Sequence, residues 1–102
     1  MVLLLHGFAE FWWAWRHQIV PLDAAGYAVA AMDLRGYGAS DKTPRGYDAR
    51  TTAGDIAGVI RSLGHRQAVL VGHDWGGMAA WAASAYVPEQ VRALVMIASP
   101  HP

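Results

Sequence analysis

Gln67-Ala68-Val69-Leu70-Val71-Gly72-His73-Asp74-Trp75-Gly76-Gly77 is the stretch on which the reading of this chain turns. It predicts a buried strand, a turn with glycines two residues either side of one acid, and then a helix. This is the elbow pattern G-x-S-x-G with aspartate in place of the serine. At such a turn the central residue is held at positive φ, and its flanks must lack Cβ atoms that would strike the neighbouring strand and helix. Gly72 and Gly76 meet that need. A serine there needs a base to take its proton, whereas an aspartate with a pKa of about 4 is ionised by about a thousand to one at pH 7. Carboxylates suit attack at saturated carbon bearing a strained or good leaving group, which leaves an alkyl ester for water to hydrolyse. The turn alone leaves a second reading open, in which Asp74 merely caps the helix.

Met1-Val2-Leu3-Leu4-Leu5 is a second apolar run of strand type, followed at once by His6-Gly7-Phe8-Ala9-Glu10. In an elbow hydrolase one oxyanion-hole N–H comes from the residue after the nucleophile, here Trp75. The other comes from a loop after an earlier strand, where Phe8 stands. A His-Gly pair at a strand end is by itself ordinary turn chemistry. Its place, about 65 residues before the elbow and on the right element, gives it weight.

Strands are expected near 2–6, 27–33, 67–72 and 91–98, each a near-continuous apolar run of the kind buried on both faces of a parallel sheet. Between them, Thr51 to Leu63 carries Ile56, Val59, Ile60 and Leu63 at helical spacing, with Gly64 as the stop. Gly54 and Gly58 would each cost that helix about 1 kcal/mol relative to alanine, so their expected use is to let it lie close on the sheet. Trp12 to Ala25 reads as a helix interrupted by Pro21, and Met78 to Tyr86 as a helix after the elbow. Strands and helices alternate without linker or repeat, the pattern of an α/β domain.

The chain resembles the α/β-hydrolase superfamily and, within it, the epoxide hydrolases. The matching segments are His6-Gly7-Phe8, Glu10 to Arg16 with its tryptophans, Asp33-Leu34-Arg35-Gly36-Tyr37-Gly38-Ala39-Ser40-Asp41, Gly72-His73-Asp74-Trp75-Gly76-Gly77 and Ser99-Pro100-His101-Pro102. They run along the chain in the family's order. One departure is Ala9, where relatives usually carry a proline that helps fix the oxyanion loop. The resemblance implies an α/β-hydrolase fold with a parallel four-stranded sheet and helices on both faces. It also implies that residues 1–102 are the N-terminal part of a single core domain, with the lid and C-terminal part absent.

For the chemistry, the resemblance implies that Asp74 opens an epoxide through an alkyl-enzyme ester to give a diol. Phe8 and Trp75 would supply the oxyanion-hole N–H groups and border the substrate. Lid tyrosines and a His-Asp pair would lie outside this chain, since Tyr27, Tyr37, Tyr47 and Tyr86 match none of the lid positions. A haloalkane or haloacid dehalogenase is the nearest alternative, because it shares the Asp nucleophile and sometimes a following Trp that grips halide. Against it, many haloalkane dehalogenases place a halide-binding Asn where this chain has Phe8. A non-catalytic hydrolase-fold binding protein is the other alternative, and the intact Asp74 elbow argues against it.

Right-handed crossovers restrict the strand order. With strand 27–33 on one side of the first strand and strand 67–72 on the other, as the resemblance implies, the order reverses beside the first strand. Ligands bind at such switch points, off the carboxyl ends of the strands. His6 to Phe8 and Asp74 would stand there.

Apolar residues make up 54% of the chain and charged residues 16%, as expected of a cytosolic globular core, here placed in the cytoplasm. The formal net charge is zero and no basic run occurs, which argues against nucleic acid or an anionic membrane as partner. With no cysteine, disulfides and thiolate metal sites are excluded. The longest apolar runs are too short to span a bilayer. A small hydrophobic molecule is the expected partner, and no cofactor is expected.

Other conspicuous residues receive structural readings. Gly36-Tyr37-Gly38 lacks the third glycine of a dinucleotide fingerprint, since Asp41 stands in its place. Asp33 and Arg35 are expected to hold their loop, and Trp12, Trp13 and Trp15 to be core more than pocket. The His73 side chain is expected to point away from Asp74, and His101 to serve a structural or pocket-wall role. A metal site of His6, His73 and Asp74 lacks zinc-type spacing and supporting partners.

Overall fold

In the computed structural model, residues 1–7, 10–38, 40, 42 and 47–97 are described. Four parallel strands, β1 (Val2–Leu5), β2 (Val29–Met32), β3 (Ala68–His73) and β4 (Val91–Ile97), lie in the order β2-β1-β3-β4. Helices α1 (Arg16–Ala24), α2 (Ala49–Ser62) and α3 (Trp75–Tyr86) connect them, with short 3-10 turns at Trp12–Trp15 and Pro88–Gln90. The strand order is the one expected, with β1 between β2 and β3.

Alternation along β1 builds two core layers, because successive side chains leave a strand on opposite faces. Leu3 and Leu5, both wholly buried, pack with Ile56 and Ile60 of α2 and Ala79, Ala80 and Ala83 of α3. Val2 and Leu4 point to the other face, against Trp15, Ile19 and Leu22. Each fully buried leucine contributes about 1.5–3 kcal/mol relative to an exposed one. Helices thus cover both faces of the sheet. In register, Leu5 lies beside Met32 on one side and Gly72 on the other, so the carboxyl ends of β1, β2 and β3 finish together.

The helices differ from the sequence reading in several respects, and α3 begins at Trp75, three residues before the expected Met78. Pro21 lies inside α1 and does not break it, since the helix continues until the Ala25 N–H donates to the Pro21 carbonyl at 3.0 Å. α2 starts two residues before Thr51 because Asp48 caps it, its carboxylate accepting the Thr51 N–H at 3.0 Å. It stops as expected at Gly64, whose φ of 82° suits glycine. The close-packing role expected of Gly54 and Gly58 is not what the structure shows, because a Cβ at either position would meet nothing within 4 Å. Both face an open groove shared with Met32, Asp33 and Ser62. Of the four residues whose spacing marked the apolar face of α2, Ile56 and Ile60 are buried with Ala53 and Ala57, whereas Val59 borders the groove beside the glycines and Leu63 is 49% exposed.

Gly58→Ala in the full-length protein should therefore raise stability by about 1 kcal/mol in urea unfolding, since alanine restricts the unfolded chain and fits the helix. A loss of stability would mean that another segment fills the groove. The Thr51 hydrogen bonds hold the Asp48 carboxyl below its ordinary range. A carboxyl with a depressed folded-state pKa adds stability above its unfolded value and loses it as pH falls through the folded value. Asp48→Ala should accordingly lower the Tm at pH 7, and the gap to wild type should close in acid below the ordinary carboxylate range.

Candidate active site

Asp74 joins β3 to α3 at φ 55°, ψ −117°. Among the described residues it is the one non-glycine at positive φ. Such a conformation costs on the order of 1–3 kcal/mol and persists only where its surroundings impose it. They do so here. The Asp74 N–H donates to the Ile97 carbonyl of β4 at 3.3 Å, and its carbonyl accepts the Gly77 and Met78 N–H groups at 3.0 and 3.3 Å.

The flanking glycines are required by contact, since neither stands at positive φ. A Cβ at Gly72 would run into the Gly76 carbonyl, and one at Gly76 into the carbonyl oxygens of Leu5 and His6. The first turn of α3 therefore rests directly on the end of β1. The Asp74 carboxylate makes no cap hydrogen bond to α3, which removes the capping reading. The amino end of a helix, with its outward N–H groups and positive dipole, lies at the residue that follows.

His6 and Gly7 come from β1 to the same edge. The His6 ring is 1% exposed. Its Nε2 accepts the Leu34 N–H at 2.9 Å, its Nδ1 lies 2.8 Å from the Gly7 carbonyl oxygen, and its edge meets the Tyr37 ring at 5.2 Å. Gly7 is enclosed, since a Cβ there would lie within 3.0 Å of Glu10 Oε1, His73 Nδ1 and Asp74 Cβ. The Gly7 N–H donates to Glu10 Oε1 at 3.0 Å.

The core role expected of all three tryptophans needs correction, and the His73 Nδ1 lies against Gly7 and 3.4 Å from Glu10 Oε1. The elbow turns this last residue of β3 over the Gly7 loop. Of the three tryptophans, Trp15 is core, whereas Trp12 and Trp13 are 39% and 48% exposed and stack edge to face. Arg16 lies 5.0 Å over the Trp13 ring. They precede α1 in a 3-10 turn, so helical spacing does not apply to them. Phe8, Ala9, Ala39, Asp41 and Ser99-Pro100-His101-Pro102 lie outside the described residues.

The loop reading of Asp33 and Arg35 agrees with the geometry. Asp33 Oδ1 accepts the Trp12 N–H at 2.7 Å, its carbonyl accepts the Ser40 hydroxyl, and Arg35 forms a two-point bridge to Asp55 at 2.9 and 2.7 Å. Trp75 is half-exposed and lines a cavity of about 480 Å³ with Leu34, Tyr37, Tyr47 and Met78. The tyrosines and Met78 carried no sequence signal for this place. Glu10 did carry one, because a carboxylate three residues after Gly7 can reach back to its N–H, as in a turn. Among the described residues no three His, Asp or Glu side chains gather as a metal set, and no helix is long and apolar enough to cross a membrane.

The sequence profile of the α/β hydrolase fold matches residues 1–102. Mouse (Mus musculus) epoxide hydrolase 4 is 46% identical over 104 residues, covering 100% of this chain and 29% of that protein. Epoxide hydrolase B of Mycobacterium tuberculosis is 46% identical over 102 residues, covering 98% and 29%. The crystal structure of an epoxide hydrolase from Vigna radiata superposes with a TM-score of 0.93 at 43% identity, over 99% of this chain and 33% of that one. The chain spans about a third of the length of the relatives it matches.

The contact at Gly76 yields a direct test. Gly76→Ala in the full-length protein should destabilise it by about 1–3 kcal/mol or prevent folding, because the new methyl meets backbone that cannot rotate away. Denaturant unfolding measures this, and a neutral result would mean that α3 does not rest on β1 as described.

Proposed function

The chain belongs to the α/β hydrolase fold family, and on that premise we propose that Asp74 is the nucleophile of an epoxide hydrolase whose single core domain has these residues as its N-terminal part. The observation that carries this reading is a carboxylate at a strained elbow, unused for capping, beside the carboxyl end of β1 at the point where the strand order reverses. Similarity to proteins named epoxide hydrolases supports the substrate class.

In this mechanism Asp74 attacks one oxirane carbon, the carbon–oxygen bond opens, and tyrosines of a lid outside the chain protonate the released oxygen. The product is a 2-hydroxyalkyl ester of Asp74. A His-Asp pair, also outside the chain, then activates water against the ester carbonyl. The backbone N–H groups of Trp75 and Phe8 receive the oxyanion, each such donor contributing roughly 3–4 kcal/mol. Trp75 and Phe8 border a small hydrophobic epoxide, and the aromatic cavity beside Trp75 is compatible with apolar substituents. The reaction needs no cofactor or metal, and the protein works in the cytoplasm.

Asp74→Asn in the full-length protein should nearly abolish turnover of a test epoxide while the fold survives, because the amide is isosteric and lacks the attacking charge. Wild-type initial rates would remove Asp74 from the mechanism, provided mass analysis excludes deamidation back to Asp. Replacing the downstream His should trap the ester. Mass spectrometry after exposure to styrene oxide should then find the Asp74 peptide heavier by one whole epoxide, and after 1-bromobutane unmodified. Labelling by the bromide alone, with bromide released, would move the protein to the dehalogenases.

A further inference from the structure

The cavity beside Trp75 extends well past the residues that the epoxide-opening scheme uses. Along α3 its wall is Trp75, Met78, Ala79 and Ala82, positions i, i+3, i+4 and i+7 of one helix face. Seven residues of helix carry that wall about 10 Å from the elbow. Ala49 and Thr52 line the same cavity from α2. Large side chains stand at the elbow end, whereas Ala79 and Ala82 reach no further than Cβ and Thr52 is short. The lining is mostly apolar, and its charged members, Arg35 and Asp55, are paired with each other at 2.7 and 2.9 Å. About 480 Å³ is room enough for a small molecule, and water finds few partners on such walls. One turn after Ala82, α3 reaches Tyr86, where the Arg50 guanidinium of α2 lies 5.5 Å over the ring and joins the two helices beyond the cavity.

We propose that this channel between α2 and α3 receives a linear apolar chain of the substrate, and that Thr52 sets how long that chain can be. The role of Thr52 rests on the reading of Asp74 as the nucleophile of an epoxide hydrolase, because the channel begins at the residue beside Asp74. Terminal epoxides carrying an unbranched alkyl chain are then the preferred class. The chain passes Trp75 and Met78 and lies on Ala79 and Ala82, where α3 offers nothing beyond Cβ. Bulk at Thr52 shortens the channel from the α2 side and leaves the first turn of α3 where it rests on β1.

The full-length enzyme is assayed on 1,2-epoxybutane, 1,2-epoxyhexane and 1,2-epoxydecane. In wild type kcat/KM should climb with chain length, by up to roughly fourfold per methylene, the value of burying one CH₂. Thr52→Phe should cut the ratio of kcat/KM for the decane epoxide to that for the butane epoxide by at least about tenfold, since the ring takes the space that the distal carbons need. Thr52→Val keeps the shape and removes the hydroxyl, so its ratio should equal that of wild type. Wild-type rates indifferent to chain length, or a ratio that Thr52→Phe leaves unmoved, would overturn the role of Thr52. A lowered ratio in Thr52→Val would overturn it too, by making the hydroxyl rather than the room the determinant.

A probe that does not react tests the channel without a variant that must fold. Decan-1-ol titrated into the full-length wild-type protein, carrying carbon-13 in its methionine methyl groups, should shift the Met78 resonance to saturation. Butan-1-ol at the same concentration should leave it in place. A Met78 signal that decan-1-ol does not move would mean that another part of the full-length chain fills the channel, and would overturn the proposal. Absence of turnover on all three epoxides, with Met78 shifted by decan-1-ol, overturns the nucleophile reading and supports the channel as an alkyl-binding site. Turnover with a ratio that Thr52→Phe leaves unmoved overturns the role of Thr52 alone.

Discussion

The contact between the first turn of α3 and the carboxyl end of β1 governs this structure. Backbone meets backbone there, since no Cβ fits at Gly76 against the Leu5 and His6 carbonyls or at Gly72 against Gly76. The rest of α3 is shaped to allow the same approach. Its buried residues after the glycines are Ala79, Ala80, Ala82 and Ala83, small enough to bring the helix down onto Leu3 and Leu5. Larger residues at those positions would lift the helix and release the turn that keeps Asp74 at positive φ.

From that contact outward, the loops at the carboxyl edge are tied to one another. His6 joins the loop after β1 to the loop after β2 through Leu34, and Asp33 returns the connection through the Trp12 N–H. Arg35 then fastens the second loop to α2 through Asp55, a fork-to-carboxylate pair whose planar geometry fixes direction as well as distance. The third loop joins the set at Gly7, where Glu10 and His73 meet. Polar side chains thus connect loops whose strands are already aligned by register, and the site inherits its rigidity from both.

What the sequence made legible was whatever the backbone itself demands. Continuous apolar runs marked strands buried on both faces, and each expected strand overlaps an observed one. Glycines two residues either side of Asp74 marked a turn that only glycine permits. What it concealed were meetings with a third body. Gly54 and Gly58 look the same in sequence as Gly72 and Gly76, but open space faces the first pair and backbone the second. The proline rule placed a break at Pro21, whereas the structure accepts one lost bond inside α1. Nothing in the order of residues showed that His73 would face Glu10 across Gly7, because that meeting joins two strands through a loop.

Asp48 and Asp74 show what the elbow strain accomplishes. Both stand immediately before a helix, where aspartate ordinarily caps through its side chain. Asp48 has φ −73° and ψ 160°, the extended geometry that capping requires, and its carboxylate accepts the Thr51 N–H. At φ 55° and ψ −117° Asp74 has left that geometry, and its own carbonyl receives the Gly77 and Met78 N–H groups. The Gly77 N–H, a donor that a capping carboxylate would otherwise take, is thus answered by the main chain. The unfavourable dihedral, held by Ile97 and the two glycines, converts a capping residue into one whose side chain is withheld from the helix.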